Sequence, residues 1–116
     1  MRKETGRRGE ELAALYLSRL GFEIVERNYR CRWGEIDIIC RRGNLMVFVE
    51  VRSKSTERFG TPEETINRTK VSRIRRTAME YLREKAAGRP FNMRFDLIAI
   101  TFQKGQGNIK HIKGAF

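Results

Sequence analysis

Asp37 and Glu50 stand thirteen positions apart, each inside an apolar run: Ile36-Asp37-Ile38-Ile39 and Val47-Phe48-Val49-Glu50-Val51. Acids fit a pleated, half-buried surface poorly, so carboxylates that interrupt strand-like runs suggest a site. Two residues after Glu50 comes Arg52, and two after that Lys54. Paired carboxylates with no histidine or cysteine beside them offer hard oxygen ligands, which suit Mg²⁺ or Mn²⁺. A divalent ion held there would polarise a phosphodiester and activate water at neutral pH. Arg52 or Lys54 would offset charge developing in the transition state. The alternative is that Glu35, Asp37, Glu50 and Arg52 are solvated residues in cross-strand salt bridges.

These residues need two adjacent strands. Trp33 to Arg41 reads as one and Leu45 to Arg52 as the next, with Arg42-Gly43-Asn44 between them as a tight hairpin. In the second, Leu45, Val47, Val49 and Val51 share one face and Met46, Phe48, Glu50 and Arg52 the other. The aliphatic face calls for a covering helix, and the opposite face runs from packed to charged, as at the edge of a cleft. A turn at Gly43-Asn44 sets Asp37 directly opposite Glu50, with β-carbons about 5 Å apart; a turn at Arg42-Gly43 makes the pair diagonal at about 7 Å. Either spacing lets both carboxylates grip one cation, with Glu35 and Arg52 projecting into the same region.

Around this hairpin the chain reads helix, three strands, helix, two strands. Leu12, Ala13, Tyr16, Leu17 and Leu20 make an apolar stripe on a helix from about Thr5 to Leu20, stopped by Gly21. Phe22 to Tyr29 forms the first strand, and Ser53 to Gly60 a polar loop. Thr61, Pro62 and Glu64 read as the capped start of a second helix reaching Lys85 or Ala86. Its inner face would hold Ile66, Val71, Ile74, Ala78, Tyr81 and Leu82. Arg94 to Thr101 is a fourth strand, Gln103 to Asn108 a loop, and Ile109 to Ile112 a short fifth strand. This is an α/β domain spanning 1–116, a central mixed sheet flanked by helices.

Lys and Arg number 25 against 14 Asp and Glu, giving a net charge of +11. That balance asks for a polyanionic partner: nucleic acid, or failing that an anionic membrane surface. The membrane is the poorer fit because the apolar stripes are needed for the core. No apolar run approaches the ~20 residues of a membrane-spanning helix, and the basic start lacks a signal peptide's continuous apolar core. The expectation is a cytoplasmic protein with Cys31 and Cys40 as reduced thiols.

Asp37 followed by Glu50-Val51-Arg52 resembles the Asp…Glu-x-Lys signature of the PD-(D/E)XK nuclease superfamily. Together with Gly9-Glu10, Gly34-Glu35-Ile36-Asp37, Phe59-Gly60-x-Pro62-Glu63, Lys70 and Arg94-Phe95-Asp96, the chain looks like the YraN-like uncharacterised bacterial family, related to archaeal Holliday-junction resolvases. The resemblance implies a restriction-endonuclease-like fold and a Mg²⁺-dependent endonuclease acting on DNA, branched DNA included. It implies Asp37, Glu50 and the Val51 carbonyl as metal ligands, with Glu10 directed into the same site; Glu10 reads equally as a helix-first-turn acid stabilised by the dipole. Lys70 either reaches toward the site or snorkels at the core edge. Arg52 replaces the usual lysine and stays protonated, so it cannot serve as a base; Lys54 is the candidate substitute. A catalytically weak or inactive nucleic-acid-binding protein is the alternative. Arg7, Arg8, Lys54, Lys70 and Arg73 are the candidate phosphate contacts, and Trp33 either stacks on a base or packs. His111 reads as structural or exposed. A homodimer would suit two-fold symmetric junctions.

Overall fold

The computed structural model describes residues 4–55, 67–87 and 89–116. Helix α1 spans Glu4–Arg19, and strands β1 (Glu23–Cys31), β2 (Gly34–Arg42) and β3 (Leu45–Ser55) follow. Helix α2 (Arg68–Tyr81) continues as a π-helical turn over Leu82–Ala86, and β4 (Asn92–Gln103) and β5 (Gln106–Ile112) complete the chain. The five strands lie in sequence order, antiparallel except for the parallel pair β3 and β4. This is the expected mixed sheet between helices.

The two faces of the sheet carry separate cores. Leu45, Val47, Val49 and Val51 of β3 join Ala13 and Leu17 of α1, together with Ile38, Ile98 and Ile100. Met46 and Phe48 join Ile74, Ala78 and Tyr81 of α2, together with Ile39 and Phe95. The alternation of β3 therefore decides which helix covers which side. Helix α1 stops where its sequence says it should. Gly21, at φ 93°, lets its own N–H reach the Ser18 carbonyl and the Phe22 N–H reach that of Leu17, the double bond of a Schellman stop. Leu20 falls beyond the stripe and is exposed.

Three boundaries differ from expectation. Strand β3 runs through Ser55, because its pairing with β4 continues to Ser55 opposite Phe102. Residues 103–108 are not a loop: Lys104 and Gly105 both hold positive φ, 50° and 79°. A two-residue hairpin turn of that kind matches strand twist, so pairing persists to Gln103 opposite Gln106. Helix α2 begins at Arg68. Asn67 is its cap, extended at φ −127° and ψ 177° and accepting from the Lys70 N–H at 2.9 Å. The Thr61-Pro62-Glu64 cap and Ile66 lie outside the described residues.

On the α1 side a polar chain crosses the core. Asp96, fully buried, accepts from Arg94 Nε and Nη2 at 2.8 Å each and from the Gly114 N–H at 3.1 Å. His111 Nε2 lies 2.7 Å from Asp96 Oδ2, and its Nδ1 lies 2.9 Å from the Tyr16 hydroxyl. An ionised carboxylate only accepts, so His111 donates from Nε2. The network ties α1 to β4 and β5. It also settles His111 as structural.

Burial alone would raise the Asp96 pKa, but hydrogen bonds from Arg94, His111 and Gly114 reverse that and hold it below the ordinary aspartate value. A carboxyl lowered on folding stabilises the fold above its unfolded pKa, about 4, and loses that contribution as pH falls through the folded one. Urea midpoints should therefore drop as pH falls below about 4, with a flatter profile for Asp96→Asn. At pH 7, Asp96→Ala should cost about 3–5 kcal/mol, because it leaves the largely buried Arg94 guanidinium unpaired and the His111 and Gly114 donors without their acceptor. Parallel acid profiles for wild type and Asp96→Asn would contradict this.

Candidate active site at the β2–β3 divergence

The hairpin turns at Gly43-Asn44, with Arg42 opposite Leu45 and Ile38 opposite Val49. Continued by one residue, that register would set Asp37 against Glu50, but the β2–β3 pairing ends at Ile38. From Glu50 onward β3 is paired with β4 and no longer with β2. The strands part at the acid pair.

The parting has a local cause. Ile38 and Cys40 pack on the α1 side, whereas Ile36 packs with Ile39 and Phe48 on the α2 side. A regular strand would keep Ile36 and Ile38 on one face, so β2 loses its alternation at Asp37. Strand β1 does the same across the way. Arg27 pairs with glutamates of α1, Tyr29 packs on the α2 side, and Asn28 between them sits at φ 54°. Asp37 is thus turned toward the gap. Its Oδ2 accepts the Val51 N–H at 2.8 Å, taking over as acceptor where the β2 ladder has stopped. That nitrogen is bonded to the carbonyl carbon of Glu50, so the Asp37 carboxylate lies beside the Glu50 peptide. Both acids are buried, each with 6% of its surface accessible.

Glu50 faces α2. Its Oε2 receives Lys70 Nζ at 3.0 Å and Arg52 Nη2 at 3.1 Å. Lys70 lies in the first turn of α2, where the helix dipole disfavours a cation by about 0.3–1 kcal/mol. Leaving a buried carboxylate uncompensated costs several kcal/mol, so pairing with Glu50 prevails. Because β3 continues past Arg52, Lys54 falls on the same face as Glu50 and Arg52.

Other candidates lie elsewhere. Glu35 is solvent-exposed and paired with Arg30 at 2.9 Å; it does not share the region of Asp37 and Glu50. Glu10 is buried on the α1 side, 3.6 Å from Arg27. The neighbouring Gly9 abuts β3, since a Cβ there would stand 2.6 Å from Ser53 Oγ. Among the described residues no three Asp, Glu, His or Cys side chains gather as a metal-binding group, so Glu10 does not complete such a set with Asp37 and Glu50. Arg7 and Arg8 are exposed on α1, with Arg8 over the Phe102 ring and bonded to the Gly105 carbonyl. Arg73 is exposed on α2. These arginines flank opposite faces of the sheet. Cys31 and Cys40 are both free, and burial pushes the Cys40 thiol up to about 12.

Arg76, read from sequence as one of the solvated charges that together are plausible phosphate contacts, lies on the exposed side of α2, with its guanidinium 4.8 Å from the centre of the Trp33 ring.

By fold and site, this is a mixed α/β domain with a buried acid pair where two central strands separate, flanked by cations from β3 and α2. The chain belongs to the family described as Uncharacterised protein family UPF0102, which matches over residues 9–100. A UPF0102 protein of Syntrophomonas wolfei is 40% identical over 116 residues, covering 100% of both chains. One from Desulforamulus reducens is 45% identical over 118 residues, covering 98% of this chain and 96% of its own. One from Rhodococcus opacus is 44% identical over 112 residues, covering 96% and 94% respectively.

The Asp37 bond to Val51 makes a stability prediction separate from any chemistry. Asp37→Ala should lower the unfolding free energy by about 1–3 kcal/mol by orphaning a backbone N–H. Asp37→Asn, whose amide oxygen can accept the same bond, should recover at least half of that loss in urea titrations. Equal losses in both variants would contradict the capping role.

Proposed function

We propose that this protein is a divalent-metal-dependent endonuclease that hydrolyses phosphodiester bonds in DNA, branched DNA included, on a restriction-endonuclease-like fold. The observation that carries the proposal is the buried acid pair at the β2–β3 divergence, with Lys70 and Arg52 on Glu50. A solvated cross-strand pair would not bury both carboxylates or draw a lysine to the unfavourable end of a helix.

The donor set fits a hard ion. Carboxylate oxygens of Asp37 and Glu50 and the Val51 carbonyl are all oxygen ligands, and Mg²⁺ keeps several waters rather than requiring an all-protein cage. Both cations on Glu50 bind Oε2, which leaves Oε1 outside those two ion pairs. Such an ion, when bound, supplies Lewis acidity toward the scissile phosphate.

The chain's own groups do the rest. Asp37 fixes the Glu50–Val51 peptide by accepting its N–H. Lys70 and Arg52 hold Glu50 in place and present positive charge where a phosphate would sit. Arg52 stays protonated, so it offsets charge without accepting a proton. Lys54, next along that face, is the amine able to take the part of the signature lysine. The positive balance of the chain steers a polyanion toward the site. No described helix is long and apolar enough to cross a membrane. Two copies of the chain would suit a two-fold symmetric junction.

With Mg²⁺ or Mn²⁺, the protein should nick branched DNA in preference to linear duplex. Asp37→Asn and Glu50→Gln should each reduce the rate at least about 100-fold, the scale of losing transition-state stabilisation worth about 2.7 kcal/mol. Cleavage at the wild-type rate by both variants would trace the activity to a contaminant.

One observation favours the alternative, a protein that binds nucleic acid without cutting it. Glu50 is already neutralised by two cations, and arginine stands at position 52. On that reading, DNA binding would weaken steeply with salt and be unaffected by Mn²⁺. Metal-stimulated cleavage lost in Asp37→Asn excludes it.

A further inference from the structure

Beyond the acid pair, α2 borders a second site. Trp33, in the β1–β2 turn, is half-buried. The guanidinium of Arg32 lies 4.7 Å from its ring centre and that of Arg76 4.8 Å. A cavity of about 700 Å³ opens beside it, with Arg32, Arg68, Arg73 and Arg76 in its wall along with Ser72. No Asp or Glu lines that cavity, and none of the four arginines has a carboxylate partner among the described residues. Trp33 and Arg76 also border a second cavity of about 860 Å³, walled by Met79, Leu82 and Phe91 together with Glu80 and further arginines of α2 and the segment before β4.

A cationic, hydroxyl-bearing cavity and a mixed one with an apolar floor, both bordered by the same indole, match the two halves of a nucleotide. Arginine forks bind phosphate bidentately, and a base stacks on an indole whatever its sequence. Backbone position links this pocket to the acids. Lys70, on Glu50, and Arg76, on Trp33, lie six residues apart on one helix, about 9 Å along its axis. That is roughly two or three steps of a stacked strand at 3.4 Å each.

We infer that the Trp33 pocket holds an unpaired nucleotide of a nucleic-acid strand, two or three positions from the acid pair. The partner is then nucleic acid with a single-stranded, frayed or branched segment, since a base within continuous duplex cannot present its face to Trp33. This rests on the nucleic-acid part of the proposed function and is independent of cleavage.

Trp33 is the chain's only tryptophan, so its fluorescence reports on this pocket alone. Without divalent metal and at low salt, the intact protein is titrated with a twelve-residue oligothymidylate, the same backbone lacking bases, thymidine monophosphate, and blunt duplex. The oligothymidylate should quench Trp33 saturably, the abasic strand should not, and the mononucleotide should need at least about 100-fold higher concentration, having lost the neighbouring phosphate contacts. Trp33→Ala should weaken oligothymidylate binding about 5- to 150-fold, the loss of one stacked base. Its affinity for blunt duplex should change less than about twofold, and Trp33→Phe should restore most of the strand affinity. In a protein that retains Trp33, Arg76→Gln should lower the salt slope by about one contact.

Strand and duplex binding with Trp33 fluorescence unchanged, and equal affinities for wild type and Trp33→Ala, would overturn the pocket and leave the proposed function standing. Equal potency of the mononucleotide and the strand would also overturn it, in favour of a small-molecule site. Failure of every nucleic acid to bind would remove the proposed function and the pocket together.

Discussion

At the β2–β3 divergence a side chain takes over from a backbone. Where β2 stops pairing, the Val51 N–H would face burial without an acceptor, at a cost of about 1–3 kcal/mol. The Asp37 carboxylate supplies one. Past this bond β3 runs on paired with β4 alone, with Glu50 still buried and Arg52 and Lys54 partly exposed along the same face. The bond also sets the Asp37 carboxylate beside the Glu50–Val51 peptide. The loss of alternation at Asn28 and Asp37 serves the same end. It turns one acid into the sheet's own gap while the flanking isoleucines still reach opposite cores.

Charge is organised around that gap. Helix α2 has no acid in its first turn; among the described residues Asn67 caps its N-terminus and Glu50 pairs with Lys70 there. Lys70 and Arg52 are held by that carboxylate, while Arg68, Arg73 and Arg76 continue the positive surface toward Trp33. The acid pair and the indole pocket are two stations along one helix, and α2 is the ruler between them. On the opposite face, the Asp96–His111–Tyr16 chain locks α1 and β5 to β4, so the sheet that carries the acids is braced from behind.

Much of this was legible in the amino-acid sequence. The element order, the two faces of β3 and the stop at Gly21 follow from side-chain period and turn chemistry, which left the hairpin turn open between Gly43-Asn44 and Arg42-Gly43. Those signals are local. What escaped depends on contacts distant in sequence. The length of β3 is set by its parallel partner β4, which no pattern in residues 53–55 reveals. Asn67 caps α2 where the described helix begins, while the Thr61-Pro62-Glu64 cap lies outside the described residues. Glu35 obeys the same period as Asp37 yet lies in solvent, because β2 changes faces between them. Asp96 gave no hint of full burial, since besides its strand neighbour Arg94 its partners arrive from β5 and from the turn after it.

The central claim is that Asp37 and Glu50 grip one divalent ion. A crystal soaked in Mn²⁺ and measured for anomalous scattering tests it without any assumption about substrate. The account predicts a peak within about 2.0–2.6 Å of an oxygen from each carboxylate, absent from an Asp37→Asn crystal treated identically. A peak bound elsewhere, or none beside these acids at saturating Mn²⁺, would contradict it.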